Sequence, residues 1–166
     1  MKSVSIIAII LLTMIVCFVY KAHADDSIYA GIGGRTQAYD VGYAHDFGAS
    51  PFGVDVQYID EGVQPFSADI NRVLNIDARY THSLPFGLTG FVKAGLSDSS
   101  MGYSAAGNGY KNRTNFSGQN FGFGVSYPLT KNISATLEDV EMRYQQVSVP
   151  AYETFNYGSI GVAYRF

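Results

Sequence analysis

The feature that most constrains this chain is a two-residue alternation between apolar side chains and polar or small ones, repeated in eight stretches after residue 24. Period two is the mark of a strand with unlike faces, and helical spacing is almost absent. Ile28, Ala30 and Ile32 oppose Tyr29, Gly31 and Gly33, and Tyr39, Val41, Tyr43 and Phe47 oppose Asp40, Gly42, Ala44 and Asp46. Phe52, Val54, Val56 and Tyr58 alternate with Gly53, Asp55 and Gln57; Leu74, Ile76, Ala78 and Tyr80 alternate with Asn75, Asp77, Arg79 and Thr81. Leu88, Val92, Ala94 and Leu96 oppose Thr89, Lys93 and Ser97, and Phe121, Phe123, Val125 and Tyr127 oppose Asn120, Gly122, Gly124 and Ser126. In the seventh stretch Ile133, Ala135 and Leu137 share one face, but the apolar series resumes at Val140, Met142 and Tyr144. That phase slip at Glu138-Asp139 predicts a β-bulge. The eighth stretch sets Ile160, Val162, Tyr164 and Phe166 against Ser159, Gly161, Ala163 and Arg165.

The links between these stretches alternate in length. Gly48-Ala49-Ser50-Pro51, Leu84-Pro85-Phe86-Gly87 and Pro128 to Asn132 have turn chemistry, whereas Asp60 to Arg72, Asp98 to Gly118 and Gln146 to Thr154 are long. The link near Gly34 to Ala38 is short and breaks the pattern. Short turns on one rim and long loops on the other are the habit of outer-membrane barrels.

Alternation does not say which face is wet, since a soluble sandwich or lipocalin-like barrel alternates too. The small residues decide. Gly31, Gly33, Gly42, Ala44, Gly95, Gly122, Gly124, Gly161 and Ala163 share the polar face with the charges. A solvent face has no need to be small, but the inside of an eight-stranded barrel is barely wide enough for side chains. On the apolar face, Phe47, Phe52, Tyr80, Phe86, Tyr127, Tyr164 and Phe166 gather toward the tight turns, with Tyr39, Tyr58, Phe121 and Tyr144 toward the other boundary. Two aromatic belts around an aliphatic band are a membrane signature. The predicted fold is an all-β, eight-stranded antiparallel up-and-down transmembrane β-barrel over residues 25–166.

Residues 1–24 read as a secretory signal. Lys2 opens it, Ile6 to Tyr20 is apolar but for Thr13, and Ala22-His23-Ala24 offers small residues to a signal peptidase. The apolar run is shorter than the ~20 residues of a membrane-spanning helix. Cys17 follows Val16, where lipoprotein processing needs a small residue, so a lipidated cysteine is excluded. Cleavage removes the single cysteine, and with it any disulfide, and leaves nine basic against fourteen acidic residues, a net charge of −5. That balance argues against a nucleic-acid partner.

The chain resembles the small eight-stranded outer-membrane proteins, the group of the OmpA transmembrane domain and the OmpX/Ail proteins. The resemblance runs through Phe123, Tyr127, Pro128, Asn132, Ser134, Glu138, Arg143 and Tyr144, and is most specific at Gly161-Val162-Ala163-Tyr164-Arg165-Phe166. It implies a bacterial outer-membrane location. It also implies that Ile160, Val162, Tyr164 and Phe166 form a signal read by the barrel-assembly machinery. The implied role is non-enzymatic, structural or in surface interaction, with outer-membrane lipid, lipopolysaccharide and host surface ligands as partners of a monomer. The short first loop departs from the long-looped members.

The candidate interior charges are Arg35, Asp40, Asp55, Asp77, Arg79, Lys93, Glu138, Arg143 and Arg165, with Glu141 and Asp46 beside them. Their signs nearly balance. An unpaired charge in a narrow lumen is costly, which favours a paired, packed interior over an ion conduit. The candidate surface-recognition loop carries Tyr103, Tyr110, Lys111, Arg113 and Phe116, aromatics beside cations among small polar residues. A lipid A-modifying enzyme is the alternative. Such enzymes need a histidine near the chain end or the outer rim, whereas His45 and His82 fall on the outward parity near the turns. No cluster has metal-ligand spacing, Gly31 to Gly34 leads into no helix, and no cofactor is implied.

Overall fold

The computed structural model describes residues 26–34, 38–60, 69–104, 111–145 and 152–166. Eight strands, β1 (Asp26–Gly33), β2 (Ala38–Asp46), β3 (Phe52–Asp60), β4 (Asp69–Ser83), β5 (Thr89–Ser104), β6 (Lys111–Pro128), β7 (Ile133–Gln145) and β8 (Tyr152–Arg165), pair antiparallel with their neighbours in sequence. β8 returns to β1 through pairs such as Ile32 with Ile160, so the sheet closes and no edge is left open. Following the register from Ile28 leads through Tyr43, Val56, Ile76, Leu96, Gln119, Arg143 and Thr154. It re-enters the line of β1 ten residues beyond its start. This stagger tilts the strands, so hydrogen-bonded neighbours climb steadily toward the loop end.

The tight turns sit at one end. Leu84 leads into a single 3-10 turn over Pro85–Gly87, in which Phe86 (φ 63) and Gly87 (φ 75) both take left-handed backbone and the Phe86 ring is 93% exposed. At the first turn the Phe47 amide donates to the Phe52 carbonyl, with Gly48 left-handed (φ 61). The third turn ties in β8, since the Arg165 amide donates to the Asn132 carbonyl and the Asn132 side chain donates back to the Arg165 carbonyl.

Burial is inverted relative to a water-soluble protein. Asp40, Asp55, Asp77 and Lys93 are buried, while Leu96 is 69% exposed, Ile160 61% and Ile76 57%. The outward rows form one apolar band, with Phe47, Phe52, Tyr80, Tyr127 and Tyr164 at its turn-side border and Tyr39 on the loop side. Only a hydrocarbon surround satisfies such a surface, and only a closed barrel satisfies its backbone there.

Three expectations need correction. β7 has no bulge: its pairing with both β6 and β8 runs without a break, so Val140, Met142 and Tyr144 point inward and Asp139, Glu141 and Arg143 outward. Apolar side chains there pack inside the barrel rather than against lipid. Tyr144 therefore leaves the outer aromatic belt. Among the described pairings the register shifts instead between Ile70 and Arg72 of β4. Third, the long links shrink. β4 begins at Asp69 and β8 at Tyr152, while β5 and β6 stay paired out to Ser104 and Lys111, past the apolar band. Most of the described part of Asp98 to Gly118 thus extends the barrel wall, with β5 paired to β4 as well as β6 out to Gly102 and only Tyr103 and Ser104 paired to β6 alone. Ser, Gly and Asn there obscured a strand that pairs through its backbone.

Candidate functional site

The inward side chains are sorted into three layers along the barrel axis. Nearest the turns lies a cavity of about 190 Å³ whose wall includes Ser27, Thr81, Thr89, Ser126, Ser134 and Thr136. At its mouth Arg165 is on the inward parity but largely exposed, and its guanidinium donates to Asp46 at 3.1 Å. Arg79 reaches the cavity from β4, stacked over the Phe91 ring at 4.5 Å and 3.8 Å from an Asp55 carboxylate oxygen. Hydroxyls on short side chains leave this end roomy and wettable.

The middle layer is centred on Lys93. Its side chain is enclosed, and its Nζ lies 2.6 Å from Glu138, 3.3 Å from Asp55 and 3.8 Å from Asp77, and donates to Gln57 Oε1 at 2.9 Å. Tyr29 donates to Asp55 at 2.7 Å. Asp40 accepts from Tyr157 at 2.9 Å and from Gln57 at 3.2 Å, and Asn75 donates to Gln57 at 3.3 Å. Seven strands contribute the side chains just named, and Asn120 of β6 is buried beside Asp77. β6 passes behind the network at Gly122, where a Cβ would lie 3.0 Å from the Lys93 stem. Gly42 performs the same service for the Tyr29 ring, which covers the space a side chain would take. Small residues and long charged ones are thus two halves of one packing arrangement.

Toward the loops the interior turns apolar. Ala38, Ile59, Val73, Val140, Met142, Tyr144 and Tyr157 form a buried cluster, with Phe116 and Phe155 packed against it. The Tyr144 hydroxyl and Ser97 Oγ share a hydrogen bond of 2.6 Å. This cluster stops the lumen.

The structure therefore gathers Asp40, Asp55, Asp77, Arg79, Lys93 and Glu138 inside, with Arg165 and Asp46 at the turn-side mouth. Arg143 is not among them. It is exposed on the outer wall and paired with Glu141, because the unbroken register of β7 carries both residues outward. Without it the described interior away from the mouth holds four carboxylates and two cations, so the expected near balance of signs does not arise. Arg35 and Tyr110 lie outside the described residues. Tyr103, Lys111 and Arg113 lie at the loop-side ends of β5 and β6. Phe116 turns inward against the apolar cluster, which removes it from the candidate recognition surface. His45 faces outward at the turn end, where it and Tyr43 pair with Asp26.

Sequence reasoning placed Gln57 and Asn75 on the polar faces of their strands but left both out of the candidate interior network. It also missed Tyr157, which continues the inward series Arg165, Ala163, Gly161 and Ser159 by one step.

No protein-family model and no curated protein sequence matches the chain. Solved structures do. The N-terminal β-barrel domain of Pseudomonas aeruginosa OprF superposes with a TM-score of 0.66 at 18% identity, covering 86% of this chain and 98% of that one. Neisserial surface protein A gives 0.63 at 16% identity, covering 85% and 95%. Ail, the attachment invasion locus protein of Yersinia pestis, gives 0.59 at 13% identity, covering 85% and 97%. The fold is that of the small eight-stranded outer-membrane β-barrels. At these identities the likeness is one of backbone path, and the interior layers described above belong to this chain's own side chains.

Proposed function

We propose that this chain is a non-enzymatic outer-membrane barrel protein, exported by a signal over residues 1–24, acting structurally or through surface interaction at its loop end. The observation that carries this reading is the stratified interior: an apolar cluster and a charged network occupy the lumen in series, beneath an outer wall suited to hydrocarbon. A tube filled in this way is built to be a rigid pedestal rather than a solute path. The loop-side ends of β5 and β6, paired out to Ser104 and Lys111, then carry Tyr103, Lys111 and Arg113 past the apolar band. Ail has also been solved in complex with the heparin analogue sucrose octasulfate. A sulfated host polysaccharide, or the phosphates of lipopolysaccharide, is the class of ligand that cations at this position favour. The outward row Ile160, Val162, Tyr164 and Phe166 serves as the assembly signal for insertion, and the protein acts as a monomer.

Cell fractionation combined with heat-modifiable gel mobility tests the location and the fold together. The expected result is a band in the outer-membrane fraction that shifts on boiling. Lipid A mass spectra identical with and without the protein are expected, as is no large, steady conductance from purified protein in planar bilayers. A changed lipid A spectrum would replace this reading with a lipid-modifying enzyme.

A further inference from the structure

The outer wall of the barrel is notched where β7 meets β8. On β4, β5 and β6 the outward apolar rows climb to Leu74, Leu96 and Phe121. On β7 the row stops at Leu137, and the next outward residues are Asp139 and Glu141. In the register Asp139 stands beside Phe123, and Glu141 beside Phe121, whose rings are more than half exposed on the apolar wall. On the other side Asp139 pairs with Gly158 of β8. The result is a shallow outer groove of about 570 Å³, walled by Ile32, Phe123, Leu137, Asp139, Gly158 and Ile160.

Two features separate this groove from an accident of packing. Gly158 is not required by the fold. Its backbone is outside the left-handed region, and a Cβ there would meet only the Glu138 carbonyl oxygen at 3.8 Å and Asp139 Oδ1 at 3.9 Å, both ordinary contacts. A glycine inside a strand weakens it and marks a place where something approaches the backbone closely. The second feature is the Asp139 carboxylate. It is exposed at the apolar wall, and no cation among the described residues pairs with it; Arg143, on the same face of the same strand, is held by Glu141. A carboxylate on a lipid-facing wall is unfavourable unless it is paired or hydrated.

We propose that this notch seats one lipid with a cationic amine headgroup. The ammonium pairs with Asp139, and an acyl chain lies below it against Leu137, Ile160 and Ile32. The polarity of the groove runs in that order, from carboxylate on the loop side to aliphatic wall on the turn side. A second copy of the chain fits poorly, because a two-fold axis along the membrane normal sets Asp139 opposite Asp139 at the same height. A purely anionic headgroup is repelled by the same carboxylate.

The proposal rests on the outer-membrane reading and is tested separately from it. The full-length barrel, purified in detergent, is mixed with phosphatidylethanolamine or with phosphatidylglycerol of the same acyl chains, and retained lipid is counted by native mass spectrometry. The protein is expected to keep one phosphatidylethanolamine about fivefold better than phosphatidylglycerol, the scale of one partly exposed ion pair. Asp139→Asn should abolish the preference. Gly158→Leu should lower retention of both lipids, and Gly158→Ala serves in its place if the larger side chain prevents the heat-dependent gel shift. Equal retention of the two lipids, a preference that survives Asp139→Asn, or a dimer filling the notch would overturn the proposal. A protein absent from the outer-membrane fraction would instead overturn the reading beneath it.

Discussion

The turn-side and loop-side halves of the barrel interior occupy the same tube by opposite means. The turn side is walled by serines and threonines and keeps a cavity of about 190 Å³. The loop side is packed with Ile59, Val73, Val140, Met142, Tyr144 and Tyr157, all essentially without exposure. Between them the charged network around Lys93 separates a wettable chamber from a dry plug. The stabilising chemistry therefore changes along the axis, from hydroxyls that water can serve, through ion pairing enforced by burial, to apolar packing. The comparison predicts that equally conservative substitutions have very unequal effects, depending on height.

The largest effect belongs to the boundary between the halves. Lys93→Met removes the cation shared by Asp55, Asp77 and Glu138, and leaves buried carboxylates facing one another. Breaking such a group from one side costs about 3–5 kcal/mol. Urea titration of the barrel in lipid vesicles measures it, and a loss below about 1 kcal/mol would mean that the layer is hydrated rather than sealed. Next comes the plug. Met142→Ala opens a cavity in the apolar cluster and should cost about 2–5 kcal/mol in the same titration. A near-neutral result would show that the loop-side interior collapses freely and would erase the contrast between the halves.

Tyr144→Phe keeps the ring in the plug but removes its shared hydrogen bond with Ser97, for an expected loss of about 0.5–1.5 kcal/mol. The smallest effect is on the turn side, where Thr136→Ala at the cavity wall should stay within about 0.5 kcal/mol of the parent. If that substitution matched Met142→Ala, the turn-side cavity would be a packed core, and the two halves would be alike. Phe166 adds a test outside the lumen. Its amide donates to the Asp26 carbonyl at the seam between β8 and β1. Under the assembly reading, a Phe166 deletion variant refolds in detergent with little loss and fails to reach the outer membrane in cells; normal outer-membrane levels would remove that role.

Much of this is legible in the sequence. The outward rows of β3, β4, β5 and β6, the three tight turns and the inward positions of Asp40, Asp55, Asp77, Arg79, Lys93 and Glu138 follow from two-residue alternation and from the small residues that share the polar face. The misreadings share one cause. On β7 the series Val140, Met142 and Tyr144 looked like a continuation of the lipid-facing row, and a bulge was needed to put it there. An apolar side chain is equally content against hydrocarbon or inside a plug, so polarity alone does not distinguish the two faces beyond Leu137. The same ambiguity drew Arg143 into the lumen and left the apolar cluster unseen. On β5 and β6 the error ran the other way, since their loop-side ends carry Asp98, Asn115 and Ser117 outward and have no apolar row to announce a strand.

The sequence by itself determined the count of strands, the tight turns and the membrane face of each strand as far as Leu137 on β7, because those depend on local periodicity and on side-chain size. Tertiary structure alone decided where along each strand the membrane face ends and the plug begins. That height is set by the ten-residue stagger of the closed barrel, which places Asp139 of β7 beside Phe123 of β6, and Tyr157 of β8 over Asp40 of β2. Closure couples all eight strands at once, and no single strand carries that information in its own residues.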